Sequence, residues 1–151
     1  MTASRPDELI AVAVGGVVGA LLRASISVAV PHTSPDSWPW ATFLTNLLGC
    51  LVLGVILDWA DSRHDRWSRS HPRRARLARP LLASGLLGGF TTFSTFSLEA
   101  FGLIDSGALA LAIGYAVASV VIGVVMVVIG RRLGALAFGA ARIDLRQDEL
   151  L

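Results

Sequence analysis

Four apolar stretches, each long enough to cross a bilayer, leave this chain little choice of fold. A helix needs roughly 20 mostly apolar residues to span about 30 Å of hydrocarbon. The first stretch runs from Leu9 to Val30 and stops at Pro31. The second runs from about Trp40 to Leu57, opened by Trp38-Pro39-Trp40 as an interfacial aromatic anchor. The third runs from Pro80, a good first-turn residue, to about Ile104. The fourth runs from Ala108 to Ile129 and is closed by Gly130-Arg131-Arg132. The expected fold class is an all-α integral membrane protein: a single transmembrane domain over residues 1–151 with four helices.

Composition supports the same reading. Only 16% of residues are charged, against about a quarter in a soluble domain. That argues against a soluble enzyme. The single cysteine, Cys50, excludes a disulfide scaffold, and a net charge of +2 argues against a nucleic-acid binder. A cleaved signal peptide does not fit the first stretch, because Arg23 interrupts its apolar run and Asp7-Glu8 spoil a basic leader. The connections 31–39 and 105–107 hold no arginine, whereas 58–79 holds Arg63, Arg66, Arg69, Arg73, Arg74, Arg76 and Arg79. That segment reads as a basic cytoplasmic loop, or as a lipid-headgroup anchor aided by Trp59 and Trp67. Residues 131–151 form a mixed-charge tail.

Function should lie where a span carries what hydrocarbon does not tolerate. Gly15, Gly19 and Arg23 share one stripe of the first helix, and small residues at that spacing admit a neighbouring backbone. Arg23 is either a snorkelling anchor or an anion-attracting residue at a pore mouth. Thr42, Asn46 and Gly49 share a stripe of the second span. Asn46 makes an interhelical hydrogen bond or lines a pore, since its amide cannot stay unpaired in lipid. The fourth span repeats the pattern with Tyr115 and Ser119.

The third span is the informative one. Gly88-Gly89-Phe90-Thr91-Thr92 puts poor helix formers at mid-membrane, so a break is expected there, and lipid cannot satisfy the backbone it frees. Directly after it come Thr92-Phe93-Ser94 and Thr95-Phe96-Ser97. Period three keeps Phe93 and Phe96 on one stripe, either as packing or as rings whose positive edges meet an anion. Only Glu99 is acidic within the spans. The inventory favours a small, hard, hydrogen-bond-accepting anion.

These residues resemble the Fluc (CrcB-type) fluoride channel family. The likeness runs from Gly15-Gly16 through Arg23, Thr42, Asn46 and Gly49 to the string Gly88–Phe96, with Tyr115 and Ser119 beyond. Ala41 stands where that family usually has glycine. The resemblance implies passive fluoride export by an antiparallel dimer with two pores, in a bacterial inner membrane. It implies a structural sodium ion on the Gly88 and Thr91 carbonyls. Phe93 and Phe96 would line the pores; Asn46, Ser94, Thr95, Tyr115 and Ser119 would form the polar path, with Arg23 near a vestibule. The competing class is a small proton-coupled exporter of the four-span multidrug-resistance type. Such exporters carry a carboxylate in the first span, where this chain has Arg23.

Charge adds one expectation. The N-terminus, 58–79 and the tail hold every arginine except Arg23, and the opposite side holds none. Arginine bias sets orientation, so both termini should be cytoplasmic. A chain so biased should pair with an oppositely oriented homologue; the alternative is a homodimer of dual topology.

Overall fold

The computed structural model describes residues 5–30 and 36–148. Every element among them is helical: α1 (Pro6–Ala29), α2 (Trp40–Ser70), α3 (Pro72–Arg79), a π-helical stretch (Pro80–Leu87), α4 (Gly88–Phe90), α5 (Phe93–Asp105) and α6 (Leu109–Asp148). Four helical segments are long and apolar enough to cross a membrane: Pro6–Ala29, Trp40–Ala60, Pro72–Asp105 and Leu109–Ala137. Pro31, the expected stop of the first span, lies outside the described residues, as do the side chains of Arg63, Arg66, Arg69 and Trp67.

Three boundaries differ from the sequence reading. The segment 58–79 is not an irregular loop: α2 continues to Ser70, and α3 begins at Pro72. Alanine and arginine are good helix formers, and Pro72 sits in the first turn, where its missing N–H is harmless. Pro80 therefore opens the π stretch and not the helix, since the backbone stays in the αR region from Arg79 through Gly88. A proline inside a helix cannot donate to the preceding turn, and the wider π register begins at that residue. Finally, Gly88 and Gly89 are helical. The chain leaves the helix at Thr91 (φ −77°, ψ 159°) and Thr92 (φ −145°, ψ 123°).

The glycines serve packing. Gly15 and Gly19 are buried on α1. A Cβ on Gly19 would lie 2.7 Å from the Phe90 amide nitrogen, and one on Gly89 would lie 3.0 Å from the Gly16 Cα. Backbone therefore meets backbone where α1 runs beside the π stretch and α4. Arg76 of α3 closes the same pair at its Arg-rich end, bonding Asp7 through Nη2, with Nε 3.6 Å from Glu8. On the other side of the molecule, α2 and α6 cross at Gly54 and Gly130, where a Cβ on Gly130 would lie 3.0 Å from the Gly54 Cα. The short turn into α6 needs Gly107, whose φ of +83° is left-handed.

A buried cluster forms at the end of the bundle away from the arginines. Phe43, Leu103, Ala112 and Tyr115 make its centre, with Trp38 and Phe96 packed against it. Elsewhere the spans present large apolar side chains outward, such as Val28 and Leu136. That is the surface expected of helices that face lipid rather than water.

Candidate functional site

The break in the third span organises the site. Thr92 is the N-cap of α5: its Oγ1 accepts from the Thr95 amide at 3.1 Å and donates to the Thr95 hydroxyl at 3.0 Å, with Ser94 Oγ 3.3 Å away. Threonine is well suited to this position because its oxygen satisfies an amide that has no intrahelical partner. The backbone of Thr92 is held from the second span. Asn46 Nδ2 donates to the Thr92 carbonyl at 3.1 Å, and the Thr92 amide donates to Asn46 Oδ1 at 2.9 Å. One side chain thus pairs both backbone groups of Thr92 where the helix is interrupted.

The break takes the helical donor from the carbonyls of Gly88, Gly89, Phe90 and Thr91, and for two of them the new partner of the lost amide is known. The Thr92 amide, which would have closed the helical ring on Gly88, is spent on Asn46. The Thr95 amide, which would have reached Thr91, is spent on Thr92 Oγ1. A Cβ at Gly88 would meet nothing within 4 Å. Among the described residues there is no group of three or more His, Cys, Asp or Glu that could hold a metal. A cation here would rest on backbone oxygens, the kind of donor that a hard cation prefers.

Beside the break lies a cavity of ≈ 460 Å³, lined by Asn46, Thr91, Thr92, Phe93, Phe96 and Ser119 among aliphatic neighbours. Phe93 and Phe96 are 5.9 Å apart. Phe93 is 80% exposed on this chain, whereas Phe96 packs on Tyr115 with ring centroids 5.0 Å apart. Ser119 Oγ is buried without a hydrogen-bond partner. The site therefore combines aromatic walls, an uncommitted hydroxyl and an amide, which suits an acceptor ligand of small size.

Above the cavity sits a residue that the sequence reading saw but gave no role. Glu99 accepts from Thr42 at 2.7 Å and from Tyr115 at 2.9 Å. Tyr115 is fully buried and meets Trp38 edge-on at 5.5 Å. The signal was available: an intramembrane carboxylate needs donors, and Thr42 and Tyr115 were the hydroxyls singled out on facing spans.

The remaining candidates divide. Asn46, Thr91, Phe93, Phe96 and Ser119 share the cavity; Ser94 and Thr95 join the hydroxyl knot at Thr92; Tyr115 stands behind Phe96. Gly88 is one turn before the break and outside the cavity wall. Arg23 is half-buried, one turn along α1 from Gly19 and so level with the break, but it does not line the cavity.

The family described as CrcB-like protein, Camphor Resistance (CrcB), matches residues 10–131. A fluoride-specific ion channel FluC of Chloroflexus aurantiacus is 44% identical over 128 residues, covering 85% of this chain and 95% of that relative. A fluoride-specific ion channel FluC 2 of Nocardia farcinica is 44% identical over 137 residues, covering 91% of each. One from Hyphomonas neptunium is 40% identical over 119 residues, covering 79% of this chain and 88% of the relative.

Proposed function

The chain belongs to the CrcB family, and from that premise we propose that it is a fluoride-specific ion channel, a multi-pass membrane protein that lets fluoride leave the cell passively. The observation that carries the reading is the cavity at the break, where Phe93, Phe96 and Asn46 surround the uncommitted Ser119 hydroxyl. Fluoride is a small acceptor and takes the hydrogen that the chain leaves unused. Aromatic edges stabilise the same charge, and a narrow donor-lined path discriminates against larger anions. Family membership sets aside the proton-coupled exporter.

The polar path we assign runs through Asn46, Ser94, Thr95, Tyr115 and Ser119 between the rings of Phe93 and Phe96, with Arg23 attracting anions at a vestibule. A sodium ion held by the Gly88 and Thr91 carbonyls would neutralise oxygens that the break exposes and raise the potential nearby. It is structural and not transported. The working unit in this reading is an antiparallel dimer. Its support is the outer face of α5, where Phe93, Leu98 and Phe101 are exposed alongside Ser94, Thr95 and Ser97. Hydroxyls on such a face are poorly served by lipid and well served by a second subunit.

Arginine bias puts both termini in the cytoplasm, and the partner is an oppositely inserted homologue; a dual-topology homodimer is the other assembly. The test is fluoride efflux from liposomes, with and without a pH gradient. Efflux independent of the gradient supports a channel, gradient-driven efflux a coupled exporter, and absence of flux in either assembly overturns both. A C-terminal tag found on both faces of intact cells expressing this chain alone, together with flux, would overturn the heterodimer.

A further inference from the structure

The break supplies a ruler for depth. Arg79 lies thirteen residues before Thr92 and Asp105 thirteen after it, so the break is midway between the polar ends of its span. The same count separates Trp59 from Asn46 and Arg132 from Ser119, and Asn46 and Ser119 both line the cavity at the break. At a helical rise of 1.5 Å per residue, Arg79, Trp59 and Arg132 each lie about 20 Å from mid-membrane. Hydrocarbon ends about 15 Å from the centre, and headgroups fill the next several ångströms. Three of the four spans thus place an arginine or a tryptophan at headgroup level, where such side chains anchor a helix.

The arginines at this end fall into two sets. Arg76 is committed to Asp7 and Glu8, and Arg131 also has a partner. Arg73, Arg74, Arg79 and Arg132 are exposed and make no ion pair or hydrogen bond among the described residues. None of the four lines the cavity, so the anion path does not account for them. α3 carries four arginines and no acid, and it buries Ala75 and Ala78; Arg73 falls on the opposite side of that helix. Guanidinium groups kept clear of carboxylates at this depth ask for an anion from the membrane itself.

We propose that Arg73, Arg74, Arg79 and Arg132 bind the phosphates of anionic phospholipids. Arg79 and Arg132 stand at headgroup level, with Arg73 and Arg74 about a turn and a half further out. A guanidinium offers a planar fork that matches two phosphate oxygens. Bound lipid would fasten α3 and, through the Arg76–Asp7 pair, the start of α1. The proposal requires the four spans and not fluoride conduction.

The purified chain in neutral detergent is titrated with phosphatidylglycerol, and separately with phosphatidylcholine and with inorganic phosphate, while the melting temperature is followed. The expected result is a saturable rise with phosphatidylglycerol alone, since a ligand of the folded state stabilises it by mass action. Arg79→Gln and Arg132→Gln should each raise the half-saturating concentration about fivefold, the worth of one arginine at an anionic surface. Arg142→Gln, ten residues beyond Arg132 on α6, should change it less than about twofold, being about 15 Å further out and past the Debye length. Equal rises with both lipids, or a rise with neither, would overturn the proposal. So would a full rise with inorganic phosphate, which marks a free-anion site. Unchanged titrations of Arg79→Gln and Arg132→Gln, or an equal loss in Arg142→Gln, would reduce it to diffuse attraction and overturn it. A variant that does not fold in lipid-free detergent would overturn it too, because the guanidinium would then be needed within the protein.

Discussion

The two halves of the third span are built on opposite principles. From Pro72 to Phe90 it is held by backbone against backbone, glycine on glycine, with Arg76 at its end tied to Asp7 and Glu8. From Phe93 to Asp105 it is held by side chains: Asn46 on Thr92, Thr42 and Tyr115 on Glu99, Phe96 on Tyr115. The first half gives the cavity only the apolar side chains of Ala83 and Leu87 and serves as a frame. The second carries hydroxyls, an amide and exposed rings, and serves as the surface on which an ion can move. The break is where one becomes the other. A lipid-buried helix can thus offer polar chemistry over half its length while the other half secures its position.

If this division is right, substitutions in the two halves should fail differently. The largest effect is expected from Gly89→Val, whose side chain would enter the Gly16 backbone. Overpacking of about 3 kcal/mol or more should leave no monodisperse protein on size exclusion, whereas Gly88→Ala, with open space around its Cβ, should assemble within this chain's own packing. A normal yield of Gly89→Val would break the comparison. Asn46→Leu comes next. It strands an amide and a carbonyl of Thr92 at about 1–3 kcal/mol each, and efflux should fall about a hundredfold or more in whatever protein assembles. Fully active Asn46→Leu would show that the break supports itself.

Phe96→Ile and Phe93→Ile should each slow efflux about tenfold while the dimer persists, because volume is kept and the ring is lost. They sharpen the comparison through stability. Phe96→Ile should lower the melting temperature by removing the contact with Tyr115, worth about 0.5–1.5 kcal/mol, and Phe93→Ile should leave it nearly unchanged. Normal efflux from both would return the rings to packing. The smallest effect belongs to Thr91→Ser, which keeps the backbone carbonyl and the hydroxyl bonded to Leu87. Efflux and the sodium dependence of stability should stay within about twofold of the unsubstituted chain; loss of the sodium dependence would show that the methyl, seated at Gly49, sets the carbonyl's position.

How far the sequence could be read follows from where each signal lies. The spans were legible because apolar length is a local property. So were the Gly15–Gly19 stripe and the need of Asn46 for a partner. The exact break was not, since glycine's low helix propensity is outweighed at Gly89 by the close approach of α1, and Gly88 stays helical beside it. Thr91 and Thr92 leave the helix because a cap and a distant amide satisfy them. The helical course of 58–79 was missed because polarity was read as loop, although alanine and arginine favour a helix. Glu99 stood out as a lone acid, but its donors arrive from two other spans, and no pattern within its own helix announces them.

The Asn46 clamp has a consequence for how this gene can change. Holding both the amide and the carbonyl of Thr92 requires a donor and an acceptor at one short reach, side by side. Aspartate lacks the donor, serine and threonine lack the reach, and isoleucine lacks both. Lysine offers no acceptor, while histidine and tyrosine do not set the two functions side by side. Those seven are the amino acids that a single-base change in an asparagine codon can encode. Every one-step missense mutation at this codon should therefore be a loss of the clamp, which makes position 46 a place where drift has nowhere to go.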